Sequence, residues 1–431
     1  MAAYRILSLD GGGSWALIEV MALQAIYGEH CPGHEVLKHF DLATANSGGS
    51  IVLGGLLTNK PLSEVLNFFL QADARTRVFD RLPFDFDKEG KPLRSVWNQT
   101  LSFISPVGAR YRTSSKFTGL RGLLDPTGDR TLQDLHQYFV MRYGKSLHFL
   151  ICAFDYDRKR AKFFRSNAQS MAGSSTMQKP SFVPSQTSAP GKDCSLAEAI
   201  HASTNAPVKY FIEPAEFGGQ RYWDGAIAGY NNPVLAGVVE TLANRRHGAP
   251  QVSDIQVLSI GTGTVSLPPH DSGEAVDKRL KQPGRLVSTL LGDVGMLATS
   301  ILDDPPDSAT FTAHVILGQP LPDPIGPPKI WPPVSGSVVR MSPLMRPVRS
   351  TPTDPWRPPE GLDVERFIKI AELDLDVIEE DDVGDLVKLG ELWISGKIRN
   401  QAIRENKDFE LQVGHATFAE ARSHWKKISG L

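Results

Sequence analysis

Four short apolar runs, Ile6 to Leu9, Phe40 to Ala45, Leu147 to Phe154 and Ile255 to Ile260, are each followed at once by turn-forming residues. Runs of that length ending in turn chemistry predict strands. Between the first two, Trp15 to Glu29 spaces Leu17, Val20, Met21, Gln24 and Ala25 as an amphipathic helix does, so the N-terminal stretch reads as a βαβ unit. Ile51 to Leu57 continues after the second run as an apolar, small-residue helix. Gly54 and Gly55 lower its helix propensity and let a neighbour approach closely, which predicts burial. A further helix starts at Pro61-Leu62-Ser63-Glu64 and runs toward Ala74. Strands alternating with helices predict an α/β fold.

Two regions break the alternation. From about Arg81 to Leu124, Pro83, Phe84, Phe86, Trp97, Phe103 and Pro106 are scattered among polar residues, which reads as an insertion capping an apolar pocket or packing on the body. From Asp303 to Glu360, the pairs Pro305-Pro306, Pro327-Pro328, Pro332-Pro333 and Pro358-Pro359 argue against long helices and for an extended, wrapping segment. Beyond it, Glu379-Glu380-Asp381-Asp382 supplies acids at a helix start, with Val383, Leu386, Val387, Leu389 and Trp393 following. The expected organisation is a main unit over 1–302 with the insertion at about 81–124, a Pro-rich segment over 303–360, and a C-terminal helical region over 361–431 packed on the main unit.

Composition narrows the class. With 41% apolar and 22% charged residues the chain has the makeup of a globular protein with a substantial core. A formal charge of −2 gives no overall pull toward nucleic acid, and no nucleic-acid partner is expected. Cys31, Cys152 and Cys194 form no Cys-x-x-Cys pair, which argues against a disulfide framework or a zinc site. The N-terminal residues enter a strand without the pattern of a signal peptide, and no stretch approaches the roughly 20 apolar residues of a membrane span. A cytoplasmic protein is expected, peripheral if it meets a membrane.

The chemistry concentrates in two glycine-rich turns. Asp10-Gly11-Gly12-Gly13 follows the first strand and offers consecutive backbone N–H groups without β-carbons, a cradle for an oxyanion. Ala45-Asn46-Ser47-Gly48-Gly49 follows the second and presents a serine among small residues, as a nucleophile elbow requires. A serine needs a base within hydrogen-bond reach. His247, His270, His314, His415 and His424 are available for a Ser-Asp-His order, but none sits at a recognisable strand end. Asp224, within Tyr222-Trp223-Asp224-Gly225-Ala226, lies between an aromatic pair and a small-residue turn and is the preferred candidate. Asp-Gly is also a common turn on its own. An anion-binding nest is a competing reading of the glycine triplet, but no Lys-Ser/Thr ending of a P-loop follows Gly13.

Taken together, these motifs resemble the patatin-like phospholipase family. The matching stretches are Asp10 to Gly13, Asn46 to Gly49, Asp224-Gly225-Ala226, Ala199 to Phe211 (AIHASTNAPVKYF) and Val257 to Gly263 (VLSIGTG). The resemblance implies a three-layer α/β/α fold around a mostly parallel sheet. It also implies a lipid acyl hydrolase that needs no cofactor or metal and cleaves phospholipid or other acyl-ester lipids during peripheral membrane contact. In such a hydrolase Ser47 is the nucleophile and Asp224 its base in a Ser-Asp dyad, with Gly11, Gly12, Gly13 and Gly48 as oxyanion donors. The chain departs from the family pattern at Ala45, where glycine is usual, and at Ser14-Trp15-Ala16, where an arginine and then a glycine are common. A Ser-His-Asp esterase and a catalytically degenerate binding protein are the alternatives.

Overall fold

The computed structural model describes residues 3–80, 110–166, 194–207, 210–243, 251–284, 307–319, 336–406 and 411–431. Its strands are β1 (Tyr4–Leu9), β2 (Leu42–Ala45), β3 (His148–Asp155), β4 (Arg160–Arg165), β5 (Ala215–Phe217), β6 (Gln220–Asp224), β7 (Ile255–Ile260), β8 (Thr264–Val265) and β9 (Val338–Met341), followed by short strands in minor sheets. The main sheet runs β5-β6-β3-β2-β1-β7-β9, with β4 also paired to β3. From β3 through β9 every neighbour is parallel, whereas β4, β5 and β6 pair antiparallel at one side. β1 lies at the centre, where the chain's path reverses and crevices open at the carboxyl ends of the strands.

Side chains alternate across a strand, and the core divides accordingly. Ile6 and Val257 enter one apolar cluster with Val234 and Val238 of the Val234–Ala243 helix and Ala313 of the Asp307–Ile316 helix. Leu7, Leu9, Leu258 and Ile260 enter a larger cluster on the other face, built on the helices Leu17–Tyr27, Ser47–Leu57 and Leu196–Ser203. The result is the three-layer α/β/α arrangement. The helices Glu380–Ile394 and Phe418–Ser429 join that larger cluster through Trp393 and Trp425, both fully buried.

Several expectations from the sequence shift in the structure. The helix expected from Trp15 begins as a 3-10 turn over Gly13–Ala16 and becomes α-helical only over Leu17–Tyr27. The helix expected from Pro61 to Ala74 divides at Gln71 into Leu62–Leu70 and Ala72–Val78. The Arg75 guanidinium offsets the break by donating to the carbonyls of Phe69, at 3.0 Å, and Leu70. Of the expected insertion, residues 81–109 lie outside the described residues, and its aromatic residues with them. Its end is no irregular cap: Thr113–Leu123 is a helix with Lys116 and Leu120 fully buried.

The Pro-rich segment also needs correction. It contains the helix Asp307–Ile316 and β9, which pairs with β7 from Val257↔Val338 to Ile260↔Met341. A boundary at residue 302 would therefore remove one strand from the main sheet. The expected acid-led helix forms as Glu380–Ile394, and its Val383, Leu386, Leu389 and Trp393 are buried.

Candidate active site

Register explains how residues distant in sequence meet. Leu9 pairs with Ala45, so the turns that follow β1 and β2 leave the sheet side by side. Ala45 pairs in turn with Ile151, and Ala153, two residues farther along β3, pairs with Asp224 at the end of β6. Asp224 therefore stands level with the residues just beyond Ala45. Cross-turn bonds fix the arrangement: Asn46 N–H donates to the Leu9 carbonyl at 3.2 Å and Gly49 N–H to the Asp10 carbonyl at 2.9 Å.

Ser47 begins the Ser47–Leu57 helix with φ of 45°, in the left-handed region. A non-glycine residue there stores about 1–3 kcal/mol of strain, which the surrounding structure must hold. The crowding is visible in its neighbours. A β-carbon on Gly48 would lie 2.5 Å from the Gly13 carbonyl oxygen, and one on Gly49 would lie 2.5 Å from that of Asp10. Only glycine lets the elbow nest against the first turn.

Ser47 is 8% exposed and Asp224 2% exposed, and the Ser47 hydroxyl is one of the groups that hold the Asp224 carboxyl down against burial. Oδ1 of Asp224 also accepts from the Asn46 side-chain amide at 3.0 Å and from the Ala226 N–H at 2.9 Å. Burial raises the Asp224 carboxyl above its usual range. The Ala226 N–H, the Ser47 hydroxyl, the Asn46 amide and the Lys116 charge oppose that rise. Among the described residues no histidine enters this balance. Of the five histidines considered from the sequence, His247 lies outside the described residues, and His415 and His424 bond one another at 3.0 Å in the C-terminal region.

Behind the carboxylate stands a layer to which the sequence assigns no role. Asp224 N–H donates to the Asn205 carbonyl at 3.0 Å, and the Asn205 side chain accepts from Lys116 Nζ at 2.8 Å. Lys116 Nζ also donates to the His201 carbonyl at 3.0 Å. Burial pushes Lys116 well below the usual lysine range, with Asp224 opposing, and burial beside Lys116 holds His201 at about 2. On the other side, Ser203 Oγ accepts the Ser47 N–H at 2.9 Å. Asn205 and Ser203 fall inside the AIHASTNAPVKYF stretch, the one signal that could have found them. Lys116 gives none, lying in a segment that reads as irregular.

The four glycines expected as oxyanion donors are not equivalent. Gly11 N–H already donates to the Asn231 carbonyl at 2.7 Å, whereas the N–H groups of Gly12, Gly13 and Gly48 have no acceptor among the described residues. The loop is anchored from beneath by charge. Asp10 pairs with Arg340 of β9 at 2.6 Å, both buried, and Arg340 also donates to Ser259 Oγ at 2.9 Å. Buried Glu19 accepts the Asp10 N–H at 2.7 Å. Burial raises Asp10 to about 6 despite the arginine, and lifts Glu19 well above the carboxylate range, with Asp10 adding to the rise.

Over Ser47 lies a small pocket of about 30 Å³. Ser47 and Gly48 border it, with Ile51, Phe79, Phe211 and Leu375 among its apolar walls. A buried serine near a buried carboxylate, beside free backbone donors and an apolar cavity, has the parts for acyl transfer from an apolar ester.

Comparison with known proteins agrees in class. The patatin-like phospholipase family model matches residues 7–238, more than half of the chain. A curated relative, an intracellular phospholipase A2 of Caenorhabditis elegans, is 36% identical over 86 residues, 20% of this chain. The match spans only 8% of that relative's length. Among solved structures, VipD from Legionella pneumophila aligns with a TM-score of 0.33 at 9% identity, over 91% of this chain and 67% of that one. The complex of SpcU with ExoU from the type III secretion system of Pseudomonas aeruginosa aligns with a TM-score of 0.23 at 14% identity, over 47% of this chain and 38% of that one.

Proposed function

The chain belongs to the patatin-like phospholipase family, and from that premise we propose that it is a lipid acyl hydrolase working through a Ser47–Asp224 dyad. The observation that carries the reading is the convergence of the Ser47 elbow and the buried Asp224 carboxyl, which Asn46 and Ala226 hold in place, beside an apolar pocket that Ser47 borders. Asp224 accepts the hydroxyl proton as Ser47 Oγ attacks the carbonyl carbon of an acyl ester. The N–H groups of Gly12, Gly13 and Gly48 hold the developing oxyanion. Gly11, occupied by Asn231, serves to shape the loop.

Asp224 returns its proton to the departing alcohol, leaving the acyl group on Ser47. Water then gives a proton to Asp224, attacks the acyl-enzyme and releases the fatty acid, and the carboxyl returns the proton to Ser47. The raised pKa of Asp224 suits this exchange, since a base nearer to neutrality also returns a proton readily. The substrate is a phospholipid or another acyl-ester lipid. With Ser47 only 8% exposed, the ester must leave its lipid surface to react, so the protein works as a peripheral visitor to that surface. Cys31, Cys152 and Cys194 are thiols rather than disulfides, which supports a reducing, cytoplasmic setting.

The test is turnover of a chromogenic acyl ester by Ser47→Ala and Asp224→Asn, each shown to be folded by circular dichroism. Loss on the order of 10⁴-fold or more in kcat is expected for each, as for residues acting as one catalytic unit. Parental turnover by either folded variant would overturn the dyad.

A further inference from the structure

The residues joining the helices Val364–Ala371 and Glu380–Ile394 form a strap across the mouth of the first glycine turn. Trp15 Nε1 donates to the Asp374 carbonyl at 3.0 Å, and Ser14 N–H donates to the Leu375 carbonyl at 2.8 Å. Arg110 bridges Asp374 and Asp376 at 3.2 and 3.0 Å, and the Tyr111 hydroxyl donates to Asp376. Arg75 Nε donates to the Ile378 carbonyl at 2.9 Å. Gly13 is the point of closest approach: a β-carbon there would lie 2.3 Å from the Leu375 carbonyl oxygen.

The strap is thus held by donors from three separate parts of the chain and lies outside the 7–238 family match. It also adds material to the site. Leu375 lines the pocket together with Ser47, and Leu375 and Ile378 pack against the cluster of Tyr111, Tyr210 and Phe211.

We propose that Leu375 is a specificity-determining residue that limits the length of acyl chain the pocket accepts, and that Trp15 is the positioning residue that holds it there. The inference rests on the acyl-hydrolase reading for the identity of the ligand. The position that departs from the family's arginine thereby gains a role, because its indole N–H fixes a strap contributed by a C-terminal segment. An apolar wall discriminates by size because each misplaced methylene costs roughly 10-fold or more in preference. Replacing Leu375 by alanine removes three carbons from the wall and lengthens the cavity by a comparable amount of chain.

The test separates ligand fit from turnover. The full chain carrying Ser47→Ala is titrated with saturated fatty acids of increasing length by calorimetry, with and without Leu375→Ala or Trp15→Phe. With the strap intact, affinity is expected to rise with length and then fall. Leu375→Ala should move the optimum two to three methylenes longer and improve binding of the longest acid about 10-fold. Trp15→Phe keeps an aromatic ring but loses the N–H, and should broaden the profile in the same direction. An unaltered length profile in folded Leu375→Ala protein would overturn the proposal, as would no binding of any acid. Chain-length selection in protein whose Ser47-intact form hydrolyses no ester would leave the strap's role standing and remove the hydrolase reading instead.

Discussion

The side-chain amide of Asn46 donates to Oδ1 of Asp224 at 3.0 Å, joining groups 178 residues apart in the chain. It stabilises the ionised carboxylate and so counters part of the rise that burial imposes. Asn46→Ala removes that donor from the charged form. A hydrogen bond to a charged group is worth about 1.5–3 kcal/mol, so a fall of roughly 10- to 100-fold in kcat/KM at neutral pH is expected. The acidic limb of the pH profile should move to higher pH as well. A profile unchanged in both height and limb would show that Asn46 does not support the base.

The same buried carboxylate should cost the fold stability. Its pKa is raised on folding, so the folded state holds the proton more tightly than the unfolded one. Stability from this group is therefore lost as pH rises from the ordinary aspartate range through the folded value. Asp224→Asn removes the penalty while an amide oxygen remains to accept from Ala226. Thermal melts should show the variant above the parent at pH 8, with the gap narrowing toward pH 5. A variant that melts below the parent at both values would contradict this sign.

Beneath the glycine turn, Arg340 neutralises Asp10 with both side chains buried. Arg340→Met leaves that carboxylate without its cation, and breaking a buried pair in this way costs about 3–5 kcal/mol. Urea unfolding should register the loss, and adding Asp10→Asn should recover part of it, since the orphaned charge is then gone. A loss below about 1 kcal/mol for Arg340→Met would mean that the pair does not anchor the loop.

What could be read from the sequence was local. β7 falls where its apolar run lies, and β1 extends its run by two residues, because a short apolar stretch ending in turn residues carries its own signal. Both glycine turns were visible for the same reason, whereas Asp224 stood out only by its place between an aromatic pair and a small-residue turn, and the strand it ends was not read from the sequence. Partners supplied from far along the chain were not visible either. Arg340 sits in a strand within the proline-dense segment, and nothing near Asp10 announces it. The Thr113–Leu123 helix is hard to see in the sequence because its buried face includes Thr113, Lys116 and Gly119, which blur a hydrophobic period. Gly11 looks equivalent to its neighbours until the Asn231 carbonyl is seen to occupy its N–H. Trp15 reads as a departure from a pattern, and its bond to Asp374 becomes visible only with the strap in place.

The dyad itself is tested most directly by covalent labelling with a fluorophosphonate, followed by peptide mass spectrometry, since the reagent reports an activated serine without needing the natural lipid. One adduct on Ser47 is expected in the parent protein, with labelling strongly slowed in folded Asp224→Asn. An unlabelled parent, an adduct on another residue, or equal labelling rates in the two proteins would contradict the account.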